Sequence, residues 1–249
     1  MPTIGVAIIT KNAQAHLADC LNAVTWCDKI VVLDSGSTDQ TLSIAQAYGA
    51  HIEQTTDWPG FGIQKNRAIA LLDTDWILAL DADEVLDAEL MQSIQAAIKA
   101  PTASVYQISR LSNYCGRWIN HSGWNPDHLP RLFQRGHAAY SESLVHEKLN
   151  FSGQAPLLAG QLLHYSFDRL DDVLDKVNRY SSAGAEQRLQ RGERSSLGKA
   201  IYKGWWTFIR TYVLQRGFLD GREGFILAVS NAEGAYYRQL KLMYLQEKK

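Results

Sequence analysis

At 249 residues, 46% hydrophobic and 20% charged, with 6 Pro and no low-complexity run, the chain has the make-up of one ordered main domain plus an appendage, which excludes a linker or tail. No apolar run reaches the roughly 18 to 20 residues a membrane-crossing helix needs. The net charge of -1 conceals an asymmetry: residues 1–175 hold 11 Lys/Arg against 20 Asp/Glu, residues 176–249 hold 14 against 6, and the basic residues of the tail alternate with large apolar ones, which favours an anionic membrane surface over nucleic acid as a partner.

In chain order, residues 3–10 are a nearly continuous β-branched run, the pattern of a strand buried on both faces of a parallel sheet. No basic leader precedes it, and Cys20, Cys27 and Cys115 lack metal-ligand spacing, so a cytoplasmic protein is expected. Apolar residues at Ala13, Leu17, Leu21 and Val24 recur at helical spacing, and Lys29 to Asp34 reads as a second buried strand. Ser35 to Asp39 is a small polar turn, followed by a helix marked by Leu42, Ala45 and Tyr48 and a third strand over 50–54. A helix over 63–72 leads into a strand over 75–80 that ends in Asp81, Asp83 and Glu84, after which Asp87 caps a helix that Pro101 stops. This alternation predicts an α/β fold, an open, twisted, mostly parallel sheet flanked by helices.

Strands over 105–111 and 131–134 then flank a loop rich in Trp, Asn, His, Gly and Pro. From about Leu170 the pattern is helical, with Ile201, Trp205, Phe208, Ile209 and Tyr212 on one stripe of an amphipathic subdomain. The expected division is a catalytic domain over 1–168, with a nucleotide half to residue 100 and an acceptor half beyond it, and a helical subdomain over 169–249.

Ligands of open α/β sheets bind beyond the carboxyl ends of the strands, where Asp81 and Asp83 fall. Strand side chains alternate with a period of two, so both carboxylates are expected on one side, sharing a Mg²⁺ or Mn²⁺ that also takes diphosphate oxygens. An isolated Asp-x-Asp is more often a cap beside a solvated acid. A second strand ends in Asp34, however, and Ser35, Gly36 and Ser37 follow it. That adds a carboxylate able to accept from a base or ribose and small residues that admit a ligand.

Four stretches, Val6-Ala-Ile-Ile-Thr-Lys-Asn12, Val31-Val-Leu-Asp-Ser-Gly-Ser-Thr-Asp39, Gly62-Ile-Gln-Lys-Asn-Arg67 and Leu78-Ala-Leu-Asp-Ala-Asp-Glu84, resemble in sequence and order the family 2 glycosyltransferases, which have a GT-A fold. The run His121 to Phe133, with Tyr140 to Glu147, resembles the bacterial lipopolysaccharide core β-1,4-glucosyltransferases that act on inner-core heptose. The resemblance implies a UDP-glucose donor, inversion at the anomeric centre, and a lipid-linked saccharide acceptor at the inner face of the inner membrane. It implies that Asp34, Ser35 and Gly36 contact the nucleotide, with Thr10 and Asn12 as further candidates, and that Asp81 and Asp83 meet the metal and diphosphate. Many members carry two consecutive acids at the second turn, where this chain has Ser35 as the second residue.

Lys65 and Arg67 are expected to add positive charge at the diphosphate. An inverting transfer needs a base for the acceptor hydroxyl. Asp127, Glu142 and Glu147 are the acids of the second half. Glu142 or Glu147 is favoured, because both flank Ser143 to His146, and a carboxylate near a histidine and apolar groups gains proton affinity. His146 either holds that carboxylate or contacts phosphate. Trp118 and Trp124 suit stacking on sugar rings, although tryptophan is commoner in cores. The alternatives are a nucleotidyltransferase or other metal-dependent nucleotide-sugar enzyme, and a metal hydrolase built on His121, Asp127, His128, His137, His146 and His164.

Overall fold

The computed structural model describes residues 2–142 and 147–247. The chain divides into two compact units, one made of residues 1–110 and 127–165 and the other of 111–126 and 166–249.

The first unit contains, in order, β1 (Ile4–Thr10), α1 (Leu17–Asn22), β2 (Lys29–Asp34), α2 (Thr41–Ala47), β3 (His51–Gln54), α3 (Phe61–Ala70), β4 (Trp76–Asp81), β5 (Glu84–Leu86), α4 (Ala88–Lys99) and β6 (Val105–Tyr114), the last of which runs on into the second unit. After a short β7 (Arg117–Trp118) come β8 (His128–Gln134), β9 (Ala138–Tyr140), β10 (Leu149–Phe151) and β11 (Leu157–Phe167). The sheet order is β3-β2-β1-β4-β8-β6-β11-β5. Its first four strands are parallel, and β8 turns antiparallel against both β4 and β6. A separate ladder joins β9 to β10.

All of β1 is buried, and its alternation divides the core between two faces. Val6 and Ile8 pack with Leu17 and Leu21 of α1 and with Leu90 and Ile94 of α4. Ala7 and Ile9 meet Val31, Leu33, Ala68 and Phe133 on the other face. Burying such a side chain contributes about 1.5–3 kcal/mol, which is why continuous apolar runs settle in the middle of a covered parallel sheet. Asp87 caps α4 as expected, accepting from Leu90 N at 2.7 Å, and its other oxygen accepts from Gln161 N of β11. In register, Thr10 lies opposite Asp34 and Ile9 opposite Asp81, so the carboxyl ends of β1, β2 and β4 share one edge.

Asp83 does not share a strand with Asp81, contrary to the expected alternation. β4 stops at Asp81, and Asp83 sits in the two-residue turn before β5. Strand alternation therefore does not carry from one carboxylate to the other.

The second unit holds α5 (Leu170–Gln190), α6 (Leu197–Ile209), a π-helical turn (Arg210–Leu214), a 3₁₀ turn (Gly217–Asp220) and α7 (Gly221–Glu247). Residues 111–126 belong with these helices, whereas the expected boundary lay at 168. Tyr114 and Ile119 share an apolar core with Val173 and Leu227, and the buried Asp220 accepts from Asn120 N, His121 N and Ser122 Oγ. Among the described residues no helix is long and apolar enough to cross a membrane.

Candidate active site

The turn after β2 is built around Asp34, which is fully buried. Oδ1 accepts from Thr10 Oγ1 and Ser37 Oγ, and Oδ2 accepts from Gly36 N and Ser37 N. Burial alone would raise its pKa, but the hydrogen bonds from Ser37, Thr10 and Gly36 outweigh that and hold the carboxyl below its ordinary value. Asp34 thus shapes the turn from beneath. Asn12 takes a positive φ of 52° and closes the rim, donating from N to Ser37 Oγ and accepting at Oδ1 from Thr38 N. Gly36, at φ 83°, has open space where a Cβ would stand, so its backbone is approachable. Ser35 Oγ accepts from Gln64 Nε2, which couples the turn to α3.

Lys65 and Arg67 part company on α3, because residues two apart on a helix do not face the same way. Arg67 makes a bidentate pair with exposed Asp57, at 2.8 and 3.0 Å, while Lys65 is buried and reaches Asp81 Oδ1 at 2.9 Å and Glu147 Oε1 at 3.1 Å. Two devices set this position. Asn66 exchanges both hydrogen bonds with the backbone of Tyr140, and Gly62 lets α3 approach so closely that a Cβ there would stand 1.9 Å from Ser141 O.

From Lys65 the charges continue without a break. Asp81 Oδ2 meets Arg131 Nη2 at 2.7 Å, and the same nitrogen meets Glu84 Oε1 at 2.8 Å. Glu84 Oε1 takes Arg110 at 3.3 Å, and Arg110 holds Asp127 at 2.8 Å. The sequence of charges is Glu147, Lys65, Asp81, Arg131, Glu84, Arg110, Asp127, four acids alternating with three bases. Buried ions persist only when so compensated. Burial would raise the pKa of Asp81, yet Arg131 and Lys65 pull it far below the usual carboxylate range. Burial likewise works against charge on Lys65 and Arg131, and Asp81 reverses the shift on both. Arg131 Nε is buried with no hydrogen-bond partner among the described residues.

With both oxygens of Asp81 held by cations, Asp83 presents the more open carboxylate, its side chain 40% exposed and Oδ2 3.4 Å from His164 Nε2. Hard divalent cations are commonly held by one or two carboxylates plus substrate phosphates, so the open Asp83 carboxylate suits Mn²⁺ or Mg²⁺, with the His164 imidazole beside it. The described residues gather no group of three or more His, Cys, Asp or Glu that could hold a metal, so His121, His128, His137 and His164 form no hydrolase centre among themselves. The pairing of His164 with Asp83 has no sequence signal, since it joins residues far apart through β11, a strand the periodicity does not reveal.

The remaining expected residues are dispersed. Glu142 is exposed, His146 lies outside the described residues, and Asp127 is tied to Arg110. Trp124 packs in the core of the second unit, 5.8 Å from the Tyr114 ring and 6.3 Å from Phe167, the commoner fate of a tryptophan. Arg131, Glu84 and Arg110 were not anticipated as site residues.

Compared with known proteins, residues 5–152 match glycosyl transferase family 2. The whole chain is 30% identical to an uncharacterized glycosyltransferase of Rickettsia prowazekii, covering 89% of that protein. It is also 30% identical to the lipopolysaccharide core biosynthesis glycosyltransferase LpsC of Rhizobium meliloti, over 94% of this chain and 90% of that one. Among solved structures it is similar to glucosyl-3-phosphoglycerate synthase of Mycobacterium tuberculosis, at 22% identity and a TM-score of 0.38, over 45% of this chain and 44% of that one, in a complex with Mn²⁺, UDP and glucosyl-3-phosphoglycerate.

Proposed function

This chain belongs to glycosyl transferase family 2 and is a glycosyltransferase, and we propose that it is an inverting, divalent-metal-dependent enzyme that moves glucose from UDP-glucose to a lipid-linked saccharide of the lipopolysaccharide inner core. The similarity to LpsC over nearly the full length of both chains supports the acceptor class. The observation that carries the mechanism is Lys65, held between Asp81 and Glu147 at the carboxyl end of β4.

In this reading the nucleoside lies against the rim made by Asn12, Ser35 and Gly36, with Thr10 and Asp34 supporting it from below. Asp83, with His164 beside it, would hold the cation, which when bound would neutralise charge growing on the departing diphosphate. Asp81 fixes Lys65 and Arg131 in the same neighbourhood. Glu147 is the base, because Lys65 positions it through Oε1 and leaves Oε2 to accept the proton, whereas Glu142 is exposed. As that proton reaches Glu147, the acceptor oxygen bonds to the anomeric carbon, the bond to the diphosphate oxygen breaks, and its electron pair leaves with UDP. The enzyme works in the cytoplasm at the inner face of the inner membrane.

The experiment is incubation with UDP-glucose, Mn²⁺ and a heptose-containing lipid-linked core saccharide, with the product linkage read by NMR. A β-linked glucose on the heptose is expected. An α-linked product, or release of glucose to water alone, would overturn the mechanism.

A further inference from the structure

The second unit turns one helix inside out. α6 packs with its smallest residues inward: Ala200 and Gly204 are buried, and a Cβ on Gly204 would stand 3.1 Å from Tyr236 Cβ of α7. The large apolar side chains point the other way. Ile201 is 56% exposed and Trp205 59%, and Leu214 in the π-helical turn is 61% exposed. Phe218 follows in the 3₁₀ turn, about half exposed. A helix that served only a soluble core would bury this stripe, and an exposed apolar patch of this extent marks a contact surface.

Charge indicates what the surface meets. Between Arg194 and Leu219 there are five cations, Arg194, Lys199, Lys203, Arg210 and Arg216, and no acid. Asp220, the next acid, is buried under its hydrogen bonds from the 120–122 segment. A second copy of the chain docked by two-fold symmetry would set this basic face against itself. An anionic lipid surface offers the complementary charge, while tryptophan and tyrosine rings suit the headgroup boundary and Lys/Arg stems extend past apolar groups to reach it.

We propose that α6, the π-helical turn and the 3₁₀ turn dock this chain in the plane of an anionic bilayer surface. The proposal rests on the reading of the enzyme as acting on a lipid-linked acceptor, and it names the face that meets the membrane.

The test is co-sedimentation of the full chain with vesicles of phosphatidylcholine, with and without phosphatidylglycerol, at low and high salt. Two variants of exposed residues accompany it, Trp205→Ser with Leu214→Ser, and Lys203→Glu with Arg210→Glu. Binding is expected only with phosphatidylglycerol, weakened by salt, reduced by Trp205→Ser with Leu214→Ser, and reduced at least about tenfold by Lys203→Glu with Arg210→Glu, at roughly 1 kcal/mol per cation near a charged surface. UDP-glucose thermal shifts should be unchanged in both variants. Equal binding by the charge-reversed variant, or no binding by the wild-type chain, overturns the proposal. A dimer in sedimentation velocity that Trp205→Ser with Leu214→Ser dissolves would assign the face to a second copy and overturn it equally. Vesicle binding is read without donor, so a chain that binds vesicles but no nucleotide sugar would count against the transferase reading alone.

Discussion

At the scale of the residue, the two aspartates of the Asp-x-Asp stretch have become unlike each other. Asp83→Asn removes an open carboxylate and should abolish metal-dependent donor binding with the unfolding midpoint unchanged. Asp81→Asn removes the acid that Lys65 and Arg131 share, leaving each with a single carboxylate partner, Glu147 and Glu84, and should cost about 3–5 kcal/mol of stability, read by urea unfolding. Glu147→Gln should lower kcat by about 10² to 10⁴ while leaving UDP-glucose affinity intact, the signature of a lost proton acceptor. A drop in affinity with kcat preserved would contradict that role. Asp34 and Asp81 both carry folded-state pKa values below their unfolded ones. Their contribution to stability is present above an unfolded pKa of about 3.9 and is lost as pH falls through the folded values. Unfolding free energy should therefore decline more steeply below about pH 4 in the wild type than in Asp34→Asn, which starts less stable but has one such carboxylate fewer.

At the scale of the element, close approach is the sensitive quantity. Gly62→Ala would push its methyl into Ser141 O, 1.9 Å away, so α3 must retreat and carry Lys65 with it. The expected result is a loss of about 1–3 kcal/mol together with reduced kcat, and an unaltered melting curve would show that the loop yields freely. The elements that the sequence displayed were those whose own side chains are decisive, such as β1, β2 and β4 with their buried runs and α4 with its Asp87 cap. β11 remained hidden because most of its residues are half-buried and give neither clean alternation nor a continuous apolar run. The stripe on α6 was legible as a stripe. Which side it faces was not, since that depends on Ala200 and Gly204 meeting α7.

At the scale of the whole chain, the order of strands, turns and acids was sufficient to place Thr10, Asp34 and Asp81 along one sheet edge, as the register shows. The charge chain was not legible, because it joins Lys65, Asp81, Arg131 and Glu147 across separations that no local spacing encodes. Calorimetric titration of UDP-glucose with and without Mn²⁺ tests whether the edge of the sheet binds a nucleotide sugar through a metal at Asp83. Binding that requires Mn²⁺ and disappears in Asp83→Asn is the predicted result. Equal binding without metal, or none of any nucleotide sugar under either condition, would contradict it.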